Sequence, residues 1–170
     1  AEDSALFLIA QGAAGGLRDA LSTLDQCAAL AEAAVTEPLV RDILGLVGRE
    51  HIEKSLRAIA AGDASAALFV VAEVLSEGRD LRQLTVEWIR ELRAAMVYQA
   101  AGEEVAREMT TTPPETLAEE ARLFAPEAFA PMIARLHEAL GELRWTEEPR
   151  IAVETALLAL CRPAAARLDK

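Results

Sequence analysis

Apolar residues recur every three or four positions along almost the whole chain, which is the spacing of amphipathic helices. The longest such stretch runs from Leu81 to about Ala100, where Leu84, Trp88 and Leu92 fall on one face. No segment shows the strict alternation of apolar and polar residues that is typical of a half-buried strand. The pattern therefore predicts an all-α protein.

Further segments with the same spacing predict helices of different lengths. They are residues 1–14, 17–33, a short helix after Thr36, and residues 49–61, 63–76, 117–124, about 129–143 and 149–160. Asp3 or Ser4 is suited to cap the first of them. In the short helix we expect Leu39, Ile43 and Leu46 to be the buried positions.

Glycine and aspartate mark several helix ends. Gly62 is expected to stop one helix and Asp63 to cap the next. In the same way, Gly78 fits the position just beyond a helix C-terminus, and Asp80 fits the N-cap that follows.

Two stretches interrupt the helical spacing. Residues 102–114 end in three threonines and two prolines, which predicts a mobile loop in which residues 103–109 could form a turn of helix. Pro131 lies within the pattern of residues 129–143, so that the helix either begins at this proline or is kinked there.

A change of pattern near Gly45 to Gly48 predicts a domain boundary. Short helices precede it, and long helices with short joints follow. We therefore expect a first domain at residues 1–47, a second at residues 48–163, and a frayed tail at residues 164–170.

The composition supports close helix packing, because 52% of the residues are hydrophobic but only 4% are aromatic. Alanine and leucine must therefore fill the core, with Trp88 as a core anchor rather than a binding residue. No apolar run is long enough to span a membrane. Cys27 and Cys161 do not have the spacing of metal ligands. We interpret both as small buried residues of a protein in a reducing, cytoplasmic environment.

The formal net charge of −11 argues against direct nucleic-acid binding, which requires a cationic surface. Four arginines do cluster in sequence, at positions 79, 82, 90 and 93, but acidic residues alternate with them. We interpret this cluster as a solvated helix face, although the sequence leaves a local basic patch open.

Motifs for catalysis are absent from the sequence. There is no phosphate-binding G-x-x-x-x-G-K-[ST] motif, no G-x-S-x-G and no H-E-x-x-H. The acidic doublets at residues 103–104, 119–120 and 147–148 have neighbouring side chains that face different ways on a helix, so we interpret them as solvated charge. The chain on its own is not expected to be a catalyst.

The stretch GGLRDALSTLDQ, residues 15–26, contains the strongest candidate for a binding site. If Gly16 is the N-cap of a helix, Asp19 falls in the first turn, where a carboxylate is favourable, and Arg18 falls there as well. A phosphate could bind an arginine fork beside free helical N–H groups. The alternative is a surface arginine paired with a nearby acid.

The same stretch resembles the segment that closes the AAA+ lid in the DNA polymerase III gamma/tau family of bacterial clamp loaders. A second stretch, LRWTEEPRIAVETALLAL at residues 143–160, resembles the end of that family's collar domain. The resemblance implies an all-α fold in which the end of the lid bundle is followed by a collar bundle. The chain would then be a segment of a longer ATPase motor subunit.

The resemblance also implies functional residues and partners. Arg18 matches the sensor-2 arginine, with Gly15, Gly16, Asp19 and Asp25 as the supporting motif. The complete subunit would use ATP and Mg, while this segment would hold no cofactor. Its collar would assemble with other copies and with delta and delta-prime subunits, and the whole complex would act on a sliding clamp and primer-template DNA.

A second hypothesis follows from the acidic charge and the missing catalytic motifs. The chain could be a stand-alone acidic helical adaptor that holds a partner helix in an apolar groove. A phosphate-binding loop encoded upstream of residue 1 would contradict the adaptor.

Overall fold

The computed structural model describes residues 1–162 and consists, over that range, of ten α-helices without a strand. This confirms the all-α fold. The helices are α1 (Asp3–Gly12), α2 (Leu17–Leu30), α3 (Glu37–Ile43), α4 (Arg49–Ala61), α5 (Ala64–Ser76), α6 (Leu81–Ala101), α7 (Glu103–Ala106), α8 (Pro114–Arg122), α9 (Pro126–Glu142) and α10 (Pro149–Cys161). The tail expected to fray lies outside the described residues.

The chain divides into two compact units, residues 1–48 and the residues from 49 onwards. In the first unit α1 packs against both α2 and α3. Its small core consists of Ala5, Leu8, Ile9, Cys27, Val35 and Val40. Each unit thus has its own packed interior.

The details of the first unit differ from several expectations. Neither Asp3 nor Ser4 caps α1, because the helix already includes both residues and Glu2 occupies the N-cap position. The Glu2 carboxylate instead accepts a hydrogen bond of 2.9 Å from the backbone N–H of Glu37, at the start of α3. A local capping rule could not foresee this contact, since its partner is distant in sequence.

The burial expected for α3 is also wrong. Val40 is fully buried, whereas Leu39, Ile43 and Leu46 are only partly buried. Ile43 and Leu46 pack against the edge of the small core and are not enclosed by it. Helix α2 likewise ends at Leu30, earlier than the predicted residue 33.

Helix α6 is the central element of the second unit, where it packs against α4, α5, α7, α8, α9 and α10. Trp88 projects from α6 into the core with 1% of its surface exposed, which confirms its expected role. Its indole N–H donates a 2.8 Å hydrogen bond to the buried hydroxyl of Ser55 on α4. Other fully buried large side chains are Leu56, Leu84, Leu92, Leu117, Phe129, Leu136 and Leu157.

The predicted caps of α5 and α6 are confirmed. Asp63 accepts a hydrogen bond from the backbone N–H of Ala66, and Asp80 accepts one from that of Arg82, each at 3.0 Å. Gly62 has a φ of +67°, and a Cβ there would lie 3.2 Å from the carbonyl oxygen of Cys161. Glycine is suited to this position for two reasons: it adopts the positive φ of the turn easily, and its missing Cβ leaves room for the end of α10.

The structure decides what the sequence left open in the two irregular stretches. The turn of helix that residues 103–109 could form is present as α7, and in the loop that follows it Thr112 is buried. Pro131 lies inside α9, which begins five residues earlier at Pro126. Of the two alternatives, a helix start at Pro131 is therefore wrong.

Both cysteines are free and buried, as predicted. None of the helices in residues 1–162 combines the length and the apolar character that crossing a membrane would need.

Candidate functional site

A tight turn precedes α2 and sets the position of the predicted Arg18 site. Ala14 and Gly15 both have positive φ values, of 48° and 89°. Gly15 adopts this conformation easily, because it has no Cβ. The backbone N–H of Gly16 then donates a 2.8 Å hydrogen bond to the carbonyl oxygen of Ala13, and α2 begins at the next residue.

Gly16 is the N-cap of α2, as predicted, and it offers no side chain to the free N–H groups of the first turn. Asp19 lies in that turn. A Cβ built on Gly16 would be 3.1 Å from the Asp19 Oδ2 atom, so the carboxylate lies close over the N-cap. A negative charge at this end of a helix is favourable.

The Arg18 side chain is exposed on the same first turn, and no hydrogen bond or ion pair joins it to any other residue in the described range. The structure therefore does not support the alternative in which Arg18 is paired with a nearby acid. Asp25 is exposed on α2, seven residues from Arg18 and thus about 10 Å further along the axis. The structure brings Gly15, Gly16, Arg18 and Asp19 together and leaves Asp25 apart.

This arrangement is chemically suited to an anion. The first N–H groups of a helix have no partners within the helix, and the helix dipole is positive at this end. An exposed guanidinium adds a full positive charge and a donor fork that matches phosphate oxygens. The turn therefore has an exposed cation and free backbone N–H groups that could contact an anion.

A second polar site was missed in the sequence and lies in the interior of the second unit. It brings together Arg49 from α4, Glu91 from α6, Glu120 from α8, and Thr110 and Thr112 from the segment before α8. Both glutamates are almost completely buried, with 6% exposure for Glu91 and 3% for Glu120. We call these five residues the carboxyl cluster.

Glu91 is the acceptor at the centre of the carboxyl cluster. The hydroxyls of Thr112 and Thr110 donate hydrogen bonds of 2.5 Å and 3.1 Å to its two oxygens. The guanidinium of Arg49 lies 3.3 Å from Glu91 Oε1 and 3.8 Å from Glu120 Oε1. One cation thus serves two carboxyl groups.

The surroundings of the two glutamates shift their pKa values in opposite directions. Burial raises the pKa of Glu120 to about 9, and the hydrogen bond to Glu91 together with the charges of Glu91 and Glu53 adds to the effect, while Arg49 opposes it. Burial also acts to raise the pKa of Glu91, but Glu120, Arg49, Thr112 and Thr110 outweigh it and leave this pKa below its ordinary value. At neutral pH Glu120 is therefore a neutral acid and Glu91 an anion.

The carboxyl cluster corrects one interpretation of the sequence. The doublets at residues 103–104 and 147–148 are exposed, as expected for solvated charge, but in the third doublet only Glu119 is exposed. Glu119 lies 3.0 Å from Arg57, whereas Glu120 is in the core. The sequence did contain a signal for the burial of Glu120. It lies three residues after Leu117 and directly before Ala121, the other buried residues of α8, so it falls on the same helix face as Leu117.

Comparison with known protein families gives two matches that divide the chain between them. Residues 1–33 match the family model described as the ATPase lid domain of the DNA polymerase III clamp loader subunit. Residues 35–168 match the model described as domain III of the DNA polymerase III subunits gamma and tau. The class of protein is thus a clamp-loader subunit, and the Arg18 turn lies in the lid match.

Individual relatives agree with these matches. The chain is 32% identical over 162 residues to the DNA polymerase III subunit tau of Bacillus subtilis, which covers 95% of this chain and 29% of that protein. It is 27% identical over 168 residues to the subunit gamma/tau of Mycobacterium tuberculosis, covering 96% of this chain and 29% of the relative. The tau subunit of Salmonella typhimurium is 26% identical over 157 residues.

The chain therefore belongs to the DNA polymerase III gamma/tau family, and it spans less than a third of the length of these relatives. This confirms the family resemblance.

Proposed function

We propose that the chain is the segment of a clamp-loader gamma/tau subunit that senses nucleotide and assembles subunits. The observation that carries the proposal is the unpaired, exposed Arg18 at the first turn of a helix within the match to the ATPase lid. The match over residues 35–168 supports a collar role for the larger part of the chain. Because the chain belongs to this family, we favour this role over a stand-alone adaptor.

In this proposal Arg18 acts as the sensor-2 arginine. Helix α2 presents its guanidinium beside the partially positive helix N-terminus, so a bound nucleotide phosphate would attract both. Gly15 and Gly16 form the turn, and Asp19 lies close over the N-cap. The ATP and Mg would be held by the ATPase domain of the complete subunit. Hydrolysis of ATP would remove the γ-phosphate and so weaken the contact between the nucleotide and Arg18 of the lid.

We further propose domain limits and partners. Residues 1–47 would form the end of the lid and residues 48–163 the collar. The collar would bind other copies of the chain and delta and delta-prime subunits in the cytoplasm. The sliding clamp and primer-template DNA would be contacted by the whole complex rather than by this acidic segment, whose formal net charge is −11.

The sensor role is tested in the full-length subunit with Arg18→Ala. We expect ATP-dependent clamp loading to fall strongly while the thermal unfolding of the protein changes little, because an exposed, unpaired side chain contributes little to stability. Arg93→Ala, another exposed arginine on α6, is the matched control for loss of one positive charge. Unimpaired loading by Arg18→Ala would refute the sensor role.

The assembly role is tested by the molar mass of the chain in solution over a concentration series, from light scattering after size exclusion. We expect a rise towards trimers or larger species as the concentration increases. If the chain stays monomeric alone and also with delta and delta-prime added, the assembly role is wrong.

A further inference from the structure

The carboxyl cluster joins three helices and the segment before α8. Arg49 belongs to α4, Glu91 to α6 and Glu120 to α8, while Thr110 and Thr112 lie between α7 and α8. The hydroxyl oxygens of Thr110 and Thr112 lie 2.7 Å apart, and the backbone N–H of Thr112 donates a 3.1 Å hydrogen bond to the Thr110 hydroxyl. Residues 110–120 are thus attached to α4 and α6 by buried polar contacts as well as by the apolar Leu117.

The charges in the carboxyl cluster balance only if one carboxyl group carries a proton. Facing Glu120 are Arg49 and Glu53 from α4 and Glu91 from α6. Both Glu120 oxygens are buried, and neither receives a hydrogen bond from a protein donor. An ionised Glu120 would therefore lack donors beside a second carboxylate, whereas a protonated Glu120 can donate to Glu91.

We propose that residues 110–122 form a proton-controlled latch, which closes on α4 and α6 when Glu120 shares its proton with Glu91 and opens with release of that proton. The open state exposes Glu120 to water, where the carboxyl group ionises. Outside the carboxyl cluster, the polar contacts of α8 include the exposed Arg57–Glu119 ion pair and a hydrogen bond from the Gln99 side-chain amide to the carbonyl oxygen of Ala121. Neither of these contacts involves a buried negative charge.

The latch predicts a specific dependence on pH. Glu120 has a pKa of about 9 in the closed state, against an ordinary value of 4.5 when it is exposed. Between these values, closed molecules hold a proton that open molecules do not. The opening equilibrium should therefore increase about tenfold for each unit of pH.

Amide hydrogen exchange of the 170-residue chain measures this opening directly. Protection factors, which correct for the intrinsic effect of pH on exchange, report the opening equilibrium of each amide. For the α8 amides we expect protection to fall by about a hundredfold between pH 6 and pH 8, as release of one proton requires. Unchanged protection over this range would overturn the proposal. So would α8 protection equal to that of the α6 amides at each pH, because α8 would then exchange only when the whole second unit unfolds.

Two variants separate the latch from general effects of pH. Glu120→Gln keeps a hydrogen-bond donor for Glu91 but cannot ionise, so its α8 protection should not vary with pH. Glu119→Gln removes one charge at the neighbouring exposed position and should keep the slope of the original chain. A Glu120→Gln chain with that same slope would refute the role of Glu120.

A direct titration keeps the test decisive if Glu120→Gln fails to fold. The side-chain carboxyl carbon of Glu120 can be followed by NMR in the unmodified chain. We expect its titration midpoint to lie well above pH 7. A midpoint near the ordinary glutamate value would mean that no proton is held in the closed state, and the proposal would be wrong.

Discussion

The two units of the chain differ in how far they bury their own apolar residues. In the first unit, α2 leaves Leu17 75% exposed and Leu21 52% exposed, and Cys27 is its only fully buried side chain in the described range. In the second unit, α6 buries Leu81, Leu84, Trp88 and Leu92 on one continuous face. Similar apolar spacing in the sequence thus leads to different burial.

The polar residues show the same contrast. Arg18 in the first unit has no partner in the described part of the chain, whereas Arg49 in the second lies between two buried carboxyl groups. A charged group in a closed core needs an oppositely charged or hydrogen-bonding neighbour, because burying an unpaired charge has a large free-energy cost. An open surface imposes no such demand and leaves a cation available for binding.

Loss of Trp88 should have the largest effect on stability. We expect Trp88→Ala to destabilise the second unit by about 3–5 kcal/mol, because it leaves a large cavity and removes the hydrogen bond to Ser55. Urea unfolding followed by circular dichroism measures the change. Trp88→Phe keeps most of the ring volume and should cost less, and a loss below ~0.5 kcal/mol for the alanine variant would contradict a core role.

The carboxyl cluster should make the stability of the second unit depend on pH. The folded protein holds a proton on Glu120 that the unfolded chain releases, since the pKa is raised to about 9. The contribution of this group is therefore fully present below the ordinary glutamate pKa and is lost as the pH rises towards 9. Relative to the original chain, Glu120→Gln should gain about 1.4 kcal/mol per pH unit in the free energy of unfolding between pH 6 and 8.

The matched comparison for this prediction is Glu119→Gln, measured by urea unfolding at the same pH values. Its ion pair with Arg57 is exposed on both sides and should contribute no more than about 1 kcal/mol, with little change between pH 6 and 8. Equal pH dependence in the two variants would show that the burial of Glu120 has no effect on its titration.

Removal of the cap of α5 should have a moderate effect. Asp63→Ala leaves the backbone N–H of Ala66 without its acceptor and should destabilise the second unit by about 1 kcal/mol. Asp63→Asn keeps an acceptor oxygen and should cost less, as thermal unfolding can show. An alanine variant as stable as the original chain would mean that the capping contact contributes nothing.

The smallest effect is expected in the first unit. Leu17→Ala should change the unfolding free energy of this chain by less than ~0.5 kcal/mol, because the side chain is already 75% exposed. The fully buried Leu92 of the second unit is the control, for which an alanine substitution should cost about 2–5 kcal/mol. A large loss for Leu17→Ala, measured by chemical unfolding, would indicate that the side chain is covered in solution.

Much of the local structure could be predicted from the sequence, because local interactions decide it. The helical spacing, the caps Asp63 and Asp80 and the turn at Gly62 each depend on residues within a few positions of one another. The same holds for Gly16 as the N-cap of α2, which positions the Arg18 site.

Contacts between distant residues explain the errors. The hydrogen bond that links Glu2 to Glu37 spans 35 positions, and Thr112 is held by Glu91, which lies 21 positions away. Neither partner can be identified from a local pattern. For this reason the first cap was wrongly predicted, and the burial of Thr112 in the loop before α8 was not anticipated.

The sequence by itself determined an all-α chain of the gamma/tau family, with Arg18 in the first turn of its second helix. Only the tertiary structure decided that Glu119 is exposed to solvent, while its neighbour Glu120 lies in the core beside Glu91 and Arg49. Adjacent residues on a helix point in directions about 100° apart, so the docking of α8 determines which of the two enters the core. That choice depends on the packing of α4, α6 and α8 together, which no short stretch of sequence contains.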